Sequence, residues 1–290
     1  MQHLDINTGE QAWSYGKGLP KYRGIWVNGD AQFRNYWSSW LGISLDGRYV
    51  DKYETRTYNG KRGPLIMIPR GIGLWSGINT DYREPVKVTL EYEYGSNVMG
   101  DHRQEFEVRV RWIASDLVTL NLSLEYDPKH YWAKYYDAYA APTGGIGGVS
   151  YVFAELDQEV TSMTLRSDIL FTRNLSLQLY AQPFYYSGKY FNPRELERPG
   201  SYELGHIDHN PELEAEEKLI EGANVNVNAV LRWEFAPGST AYIVWKHGRF
   251  SKNEVIGISP MNRLGMDSDD FFLNEPENVI LFKVSKWFSM

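Results

Sequence analysis

Apolar and polar residues alternate through GANVNVNAVLRWEFAPGSTAYIVWKHGRF, Gly222 to Phe250. In the first run Val225, Val227, Ala229, Leu231, Trp233 and Phe235 share one face, and Asn224, Asn226, Asn228, Arg232 and Glu234 share the other. A period of two is the side-chain repeat of a β-strand. Beyond Pro237-Gly238-Ser239, Ala241, Ile243 and Trp245 lie opposite Thr240, Tyr242 and Lys246. The pattern predicts a long hairpin with one apolar and one polar face. The apolar face needs a surface to lie against, either a second sheet or lipid.

The same period recurs along the chain. Strands are predicted at Tyr22–Phe33, Tyr36–Asp46, Arg70–Thr80, Val86–Tyr94 and Gln104–Trp112, and then from Val118 to Tyr126. Val149 to Thr172 is β-like throughout, either one very long strand or a hairpin broken near Asp157. Leu175–Tyr190 follows, then the Gly222–Phe250 hairpin, then a last strand from Asn278 to Met290. The polar segment through Arg62 reads as a loop or as a strand extending beyond its partner, and the other intervening segments read as loops: Asp127–Gly148, Phe191–Glu221 with a short acidic helix at Glu212–Leu219, and Ser251–Pro276. The first 21 residues are ambiguous. Pro183 predicts an edge, a bulge or a strand end, because proline cannot donate to a ladder.

The connections are asymmetric. Tight turns fall at Arg34, Asp81, Ser115, Arg173 and Pro237, and most intervening loops are long. Short turns at one end and long loops at the other mark an outer-membrane barrel, and a Greek-key sandwich has no reason to keep that order. The expected fold is therefore all-β: an antiparallel up-and-down transmembrane β-barrel of about eleven or twelve strands, either complete or part of a larger barrel. It spans residues 1–290 as one domain. On this reading Lys87, Glu91, Glu93, Glu105, Glu107, Arg109, Arg111, Arg232 and Glu234 face the lumen, and opposite charges on neighbouring strands contribute roughly 0.2–1 kcal/mol each.

Composition narrows the options. With 290 residues, 42% hydrophobic, the chain can bury a sizeable core. The 21 Tyr and 10 Trp suit surfaces where an apolar body meets water. There is no Cys, so thiolate metal sites and cysteine nucleophiles are excluded. A net charge of −7 without a basic stripe argues against nucleic acid as a partner. No apolar run is long enough for a transmembrane helix, which does not weigh against strands that alternate. The N-terminal MQHLDINTGEQ has no basic stretch followed by an apolar run and is not a signal peptide.

Candidate chemistry is sparse. No Gly-x-Ser-x-Gly elbow is present. His247 and Ser285 lie on neighbouring predicted strands without an evident third partner. No catalytic residues are assigned, and no cofactor is expected. His206 and His209, with Asp208 between them, are weak metal candidates, and Asp267-Ser268-Asp269-Asp270 resembles half of a calcium loop without its glycine and distal glutamate. In KHYWAKYYDAY, Tyr131, Trp132, Tyr135 and Tyr136 are the candidate ligand-binding residues, through stacking on a sugar or partner. The competing reading is an aromatic girdle at a membrane interface.

Several stretches resemble one family: YVFAELDQ (Tyr151–Gln158), SMTLR (Ser162–Arg166), NLSLQLYAQPF (Asn174–Phe184), ELERPGSYE (Glu195–Glu203), NAVLRWEFAPGSTAYIVW (Asn228–Trp245) and the terminal NVILFKVSKWFSM. The resemblance is dense from about Tyr151 onward and collinear from NGDAQFRNYW, near Gly29. The family is the uncharacterised β-barrel domain that follows a carbohydrate-binding family 9-like domain in Gram-negative outer-membrane proteins. Its members are much longer, so this chain looks like their C-terminal part. The resemblance implies the Gram-negative outer membrane, with lipid and the barrel-assembly machinery as partners and a carbohydrate or small solute as a possible ligand. Ile280, Phe282, Val284, Phe288 and Met290, on one face of the last strand, resemble the signal that assembly machinery reads. The expected role is solute passage, or anchorage and display at the surface. The alternatives are a soluble carbohydrate-binding β-sandwich and a membrane-associated hydrolase.

Overall fold

The computed structural model describes residues 3–14, 20–56, 58–141, 144–207, 217–256 and 275–288. Every element among them is a strand: β1 (His3–Ser14), β2 (Pro20–Gln32), β3 (Ser38–Asp46), β4 (Tyr49–Asp51), β5 (Ile66–Ile68), β6 (Gly71–Asn79), β7 (Val86–Asn97), β8 (His102–Ser115), β9 (Val118–Ala140), β10 (Val149–Thr172), β11 (Leu175–Leu196), β12 (Leu204–Gly205), β13 (Lys218–Ala236), β14 (Ser239–Ile256) and β15 (Glu277–Ser285). They form one antiparallel sheet in the order β1-β2-β3-β6-β7-β8-β9-β10-β11-β13-β14-β15, with β12 pairing β11 off this path. β4 and β5 make a separate two-stranded hairpin. Each strand of the main path therefore pairs with its neighbours in sequence, as an up-and-down meander requires.

The sheet is not closed on itself, so of the two expectations, a barrel complete in this chain or part of a larger one, the first is not met: its ladder runs from β1 at one edge to β15 at the other. It is also one layer, so the two packed sheets of a sandwich are absent among the described residues.

Several boundaries differ from the sequence pattern. β1 occupies the ambiguous N-terminal segment. β10 is a single strand of 24 residues. β9 carries through the Tyr-rich stretch read as a loop, because residues 129–140 pair with Val149–Gln158 of β10. Cross-strand partners here override a composition that looks loop-like. Lys218 and Leu219 belong to β13, not to a helix, while residues 212–216 lie outside the described residues. β15 stops at Ser285, so Phe288 is not on its face. Instead Trp287 N–H donates to Ser239 Oγ at 3.0 Å, bending the terminus over the β13–β14 turn. Met290 lies outside the described residues.

Pro183 sits within β11 rather than at an edge, opposite Val225 of β13. The β10–β11 register carries no Cα partners between Ser162↔Phe184 and Leu165↔Ala181. The missing N–H thus falls where that ladder lapses.

Among the described residues, most of the sheet has no protein against its apolar side. Leu41, Ile280 and Phe282 are 60%, 60% and 74% exposed. The packed core lies instead at the long-loop end. Ile66, Ala133, Ala138, Tyr151, Phe153 and Leu196 are buried there, with Trp132, Tyr135, Tyr202 and Leu204 against them. The β4–β5 hairpin is held to this end by Gly200 N–H donating to Leu65 O at 2.6 Å. Bulges shape the region. β9 carries two extra residues relative to β10 between Tyr131 and Asp137, and β11 one extra between Phe191 and Arg194, where Asn192 has φ 49°. Such insertions bend strands and re-aim side chains.

The opposite end consists of tight turns. Ala236-Pro237-Gly238-Ser239 has proline at the second position and Gly238 at φ 72°, the requirements of a type II turn. A Cβ on Gly238 would also come within 3.1 Å of the Trp287 Cβ. Gly238→Val should destabilise the protein by about 1–2 kcal/mol, the cost of forcing a left-handed conformation on a branched residue. Urea unfolding in detergent measures this, and an unchanged midpoint would contradict the turn assignment.

Candidate functional site

Register fixes which residues share a face. One row across the strands reads Lys87–Arg111–Asn121–Arg166–Tyr180–Asn228–Lys246. Glu91, Glu93, Glu105, Glu107 and Arg109 fall on the same face of β7 and β8, and Arg232 and Glu234 on that face of β13, by the strand period of two. Ion pairs tie this face together. Arg109 Nε lies 2.6 Å from Glu107 Oε1, and the same guanidinium pairs with Glu91. Ser123 Oγ donates to Glu107 at 2.7 Å. Arg232 pairs with Glu234 at 3.1 Å.

Glu105, Glu125 and Asp127 bring carboxylate oxygens within 4.8 Å of one another. They are the residues that could hold a cation, but Lys129 pairs with Asp127 and already supplies positive charge there. His206 is described apart from this group, and His209 and the Asp267–Asp270 segment lie outside the described residues.

Three residues on the polar face escape a reading by polarity. Trp26, Trp40 and Trp75 are the direct cross-strand partners of Gly9, Gly77 and Gly42. A Cβ at any of these glycines would collide with the facing indole ring. Each ring therefore lies flat on its neighbour strand, the arrangement in which an aromatic covers a strand glycine. The available signal was phase: each tryptophan is adjacent to, not in step with, the apolar residues of its strand (Ile25, Val27; Leu41, Ile43; Leu74).

The opposite face is apolar over a limited height. Leu90, Val108 and Leu124 stand in one row, and Val88, Val110, Leu122 and Leu165 in the next. Above them Tyr92, Phe106, Tyr126, Thr161 and Tyr185 form a transverse row, with Tyr92–Phe106 centroids 4.9 Å apart and Phe106–Tyr126 6.4 Å apart. Higher still the same face turns polar, at Gln104, His130, Glu159, Ser187 and Glu221.

The upper limit of this band drifts across the sheet. Ile25 of β2 shares a register row with Leu45, Ile72, Ser96 and His102. Ile280 of β15 shares one with Trp245, Ala229, Leu179, Ser167, Leu120 and Trp112. The limit thus moves ten residues along β8, from His102 to Trp112, over ten strand-to-strand steps. One residue per strand, at a rise of ~3.3 Å and a spacing of ~4.8 Å, is the stagger of strands tilted roughly 35°.

The four aromatic candidates lie above this band, in β9, and they separate. Trp132 and Tyr135 pack into the buried cluster. The Arg194 guanidinium lies 4.0 Å from the Trp132 ring centroid, and its Nη2 donates to Trp132 O at 2.6 Å. Tyr135 meets Phe153 edge-on at 5.9 Å. Tyr136 meets Tyr190 edge-on at 5.4 Å, and the Lys134 ammonium lies 5.1 Å from the Tyr131 ring centroid. All four are half-buried, and of them Trp132 and Tyr135 pack against the buried cluster.

The electrostatics of this end follow its burial. Burial pushes the Tyr202 phenol far above its ordinary value and the Tyr190 phenol up as well. Burial alone would lower the Lys134 ammonium, but the Glu54 carboxylate 3.0 Å away outweighs it and leaves the group raised.

His247 and Ser285 do not meet. His247 registers with Asn278, whereas Ser285 registers with Thr240, seven residues along β14 and roughly 23 Å away. That separation removes them as a catalytic pair.

A raised Lys134 means that the Glu54 pair stabilises the fold fully below the unfolded lysine value of about 10.4 and is lost as pH rises through the higher folded value. Glu54→Gln should therefore speed amide exchange in 131–136 at neutral pH, with the difference from wild type shrinking as pH rises beyond the ordinary lysine range. Equal exchange at neutral pH would contradict the role given to this pair.

The comparisons with known proteins concern family and fold. Residues 8–284 match the model of a domain of unknown function, DUF5916. No curated protein matches. The siderophore receptor PiuA from Acinetobacter baumannii is similar in structure, with a TM-score of 0.51 at 10% sequence identity, covering 97% of this chain and 46% of the receptor. This chain therefore spans a little under half the receptor's length, and the likeness shows fold alone. A NanC porin is matched over 84% of this chain and 87% of the porin at 10% identity, but its TM-score of 0.24 carries no argument. The link to a carbohydrate-binding family 9-like domain finds no support in these matches. By a match over nearly its whole length, the chain belongs to the DUF5916 domain family.

Proposed function

We propose that this chain forms the wall of an integral outer-membrane β-barrel in a Gram-negative bacterium and that its polar face lines a path for a solute. One observation carries the reading: the uncovered apolar band whose upper limit drifts by one residue per strand on average between β2 and β15. A soluble protein rarely leaves an apolar face of this extent bare. Solvation by water also gives no reason for the band to hold a single oblique level across the sheet, whereas a flat bilayer crossed by tilted strands requires it. About nine to eleven residues span the hydrocarbon at such a tilt, which matches Val118–Tyr126 on β9. The row of Tyr92, Phe106, Tyr126 and Tyr185 is placed as an interfacial girdle would be. The aromatic end and the β4–β5 hairpin then stand outside the membrane with the long loops.

On this reading lipid covers the apolar face and assembly machinery delivers the chain to the membrane. The part above the band gives surface display as a second role for the same wall. The open edges of β1 and β15 call for further pairing, either with each other or with additional strands, since a lipid-exposed sheet edge leaves backbone groups unsatisfied.

Expression of the full chain behind a secretion signal, followed by fractionation and gel mobility before and after boiling, tests this. The expected result is recovery in the outer membrane with a mobility shift on boiling. A soluble monomer that needs no detergent would refute the reading. Arginine substitution adds a graded test. Val110→Arg, level with Leu122 at the middle of the Val118–Tyr126 span, should cost about 2–4 kcal/mol, and Gln104→Arg, at the edge of the band, no more than about 1 kcal/mol. Equal costs in detergent-to-vesicle refolding would contradict the placement of the band.

A further inference from the structure

We propose that Trp26, Trp40 and Trp75 form an aromatic track on the polar face that binds a neutral oligosaccharide. The proposal rests on the barrel reading above, because only an enclosed wall makes this face a path.

The three indoles are held flat by the glycines they cover, Gly9, Gly77 and Gly42. Each leaves one ring face toward the open side of the sheet and remains half-buried. The covered glycines mark where the rings sit. Gly77 and Gly42 lie on neighbouring strands, offset by two residues, so those rings are roughly 8 Å apart. Gly42 and Gly9 are two strands apart with a further two-residue offset, roughly 12 Å. The rings thus climb one diagonal, about 20 Å long, toward the long-loop end.

Polar groups flank this line in register. Asp30 is the partner of Trp40, Asn28 of Gly42, and Glu93 of Trp75. A flat π-face suits the C–H-rich face of a pyranose, and adjacent carboxylates and amides accept from its hydroxyls. The same carboxylates repel anions, which disfavours nucleotides and other phosphates. Covering the glycines would by itself need only packing. An oblique line of half-buried rings beside hydrogen-bond acceptors also provides a repeated subsite.

Calorimetry on the detergent-folded full chain tests this with maltohexaose, cellohexaose and chitohexaose as probes. At least one should bind, and more tightly than its disaccharide. Trp40→Ala with Trp75→Ala should weaken that binding by about tenfold or more. Trp75→Phe, which keeps a ring over Gly42, should weaken it less. Trp245→Ala, on the opposite face, should leave it unchanged. The proposal is overturned if none of the three hexaoses binds, if the paired alanine variant binds as wild type does, or if tetramethylammonium binds in their place. A protein that inserts into membranes yet binds no hexaose sinks the track and leaves the barrel standing. Failure to insert sinks both.

Discussion

A sheet of one layer satisfies its backbone through neighbouring strands but cannot bury both of its faces. That constraint governs this molecule. Twelve strands pair in sequence order, so the ladder needs nothing beyond the chain itself except at β1 and β15. The side chains are different. One face carries a charge network that is stable in water, and the other carries Leu, Val, Ile and Phe with no protein against them among the described residues. In the proposed barrel, lipid supplies the missing surface, and the height and slant of the apolar band follow from bilayer thickness and strand tilt. Without lipid, the same face predicts aggregation.

The long-loop end solves its burial problem in another way. Above the band β9, β10 and β11 continue for many residues, and bulges in β9 and β11 turn their side chains toward the β4–β5 hairpin. There the chain builds a conventional core around Phe153 and Ile66, both fully buried. Burial of polar groups comes with it: Arg194 lies over Trp132 and pairs with Glu155 at 3.7 Å, and Lys134 pairs with Glu54. The strands thus pass from one solvent regime to another within a single continuous ladder.

Much of this was legible in the sequence because a period of two is a strong signal wherever one face differs from the other. The Val86–Trp112 and Gly222–Phe250 hairpins and the tight turns could be read from alternation and turn residues alone. The Tyr-rich stretch of β9 could not. Its residues are amphipathic on both faces and two bulges break its phase, so pattern gave a loop where cross-strand pairing gives a strand. The tryptophans over Gly9, Gly42 and Gly77 were hidden for a related reason. Each is polar in phase but aromatic in kind, and only the register reveals the glycine opposite. Closure was invisible for a third reason, since pairing between the first and last strands is a property of curvature, not of any local residue pattern.

The central claim is that the apolar band is a lipid boundary that drifts by one residue per strand. The absence of cysteine makes single-cysteine spin labelling of the full chain clean. Labels at positions 25, 72, 102, 112, 124, 245 and 280, in reconstituted vesicles, should be scored for collision with oxygen and with an aqueous nickel chelate. The account predicts lipid-like accessibility at 25, 72, 112, 124, 245 and 280 and aqueous accessibility at 102, although 25, 72 and 102 share one register row. Accessibility that follows the register row, or aqueous accessibility at all seven positions, would contradict it.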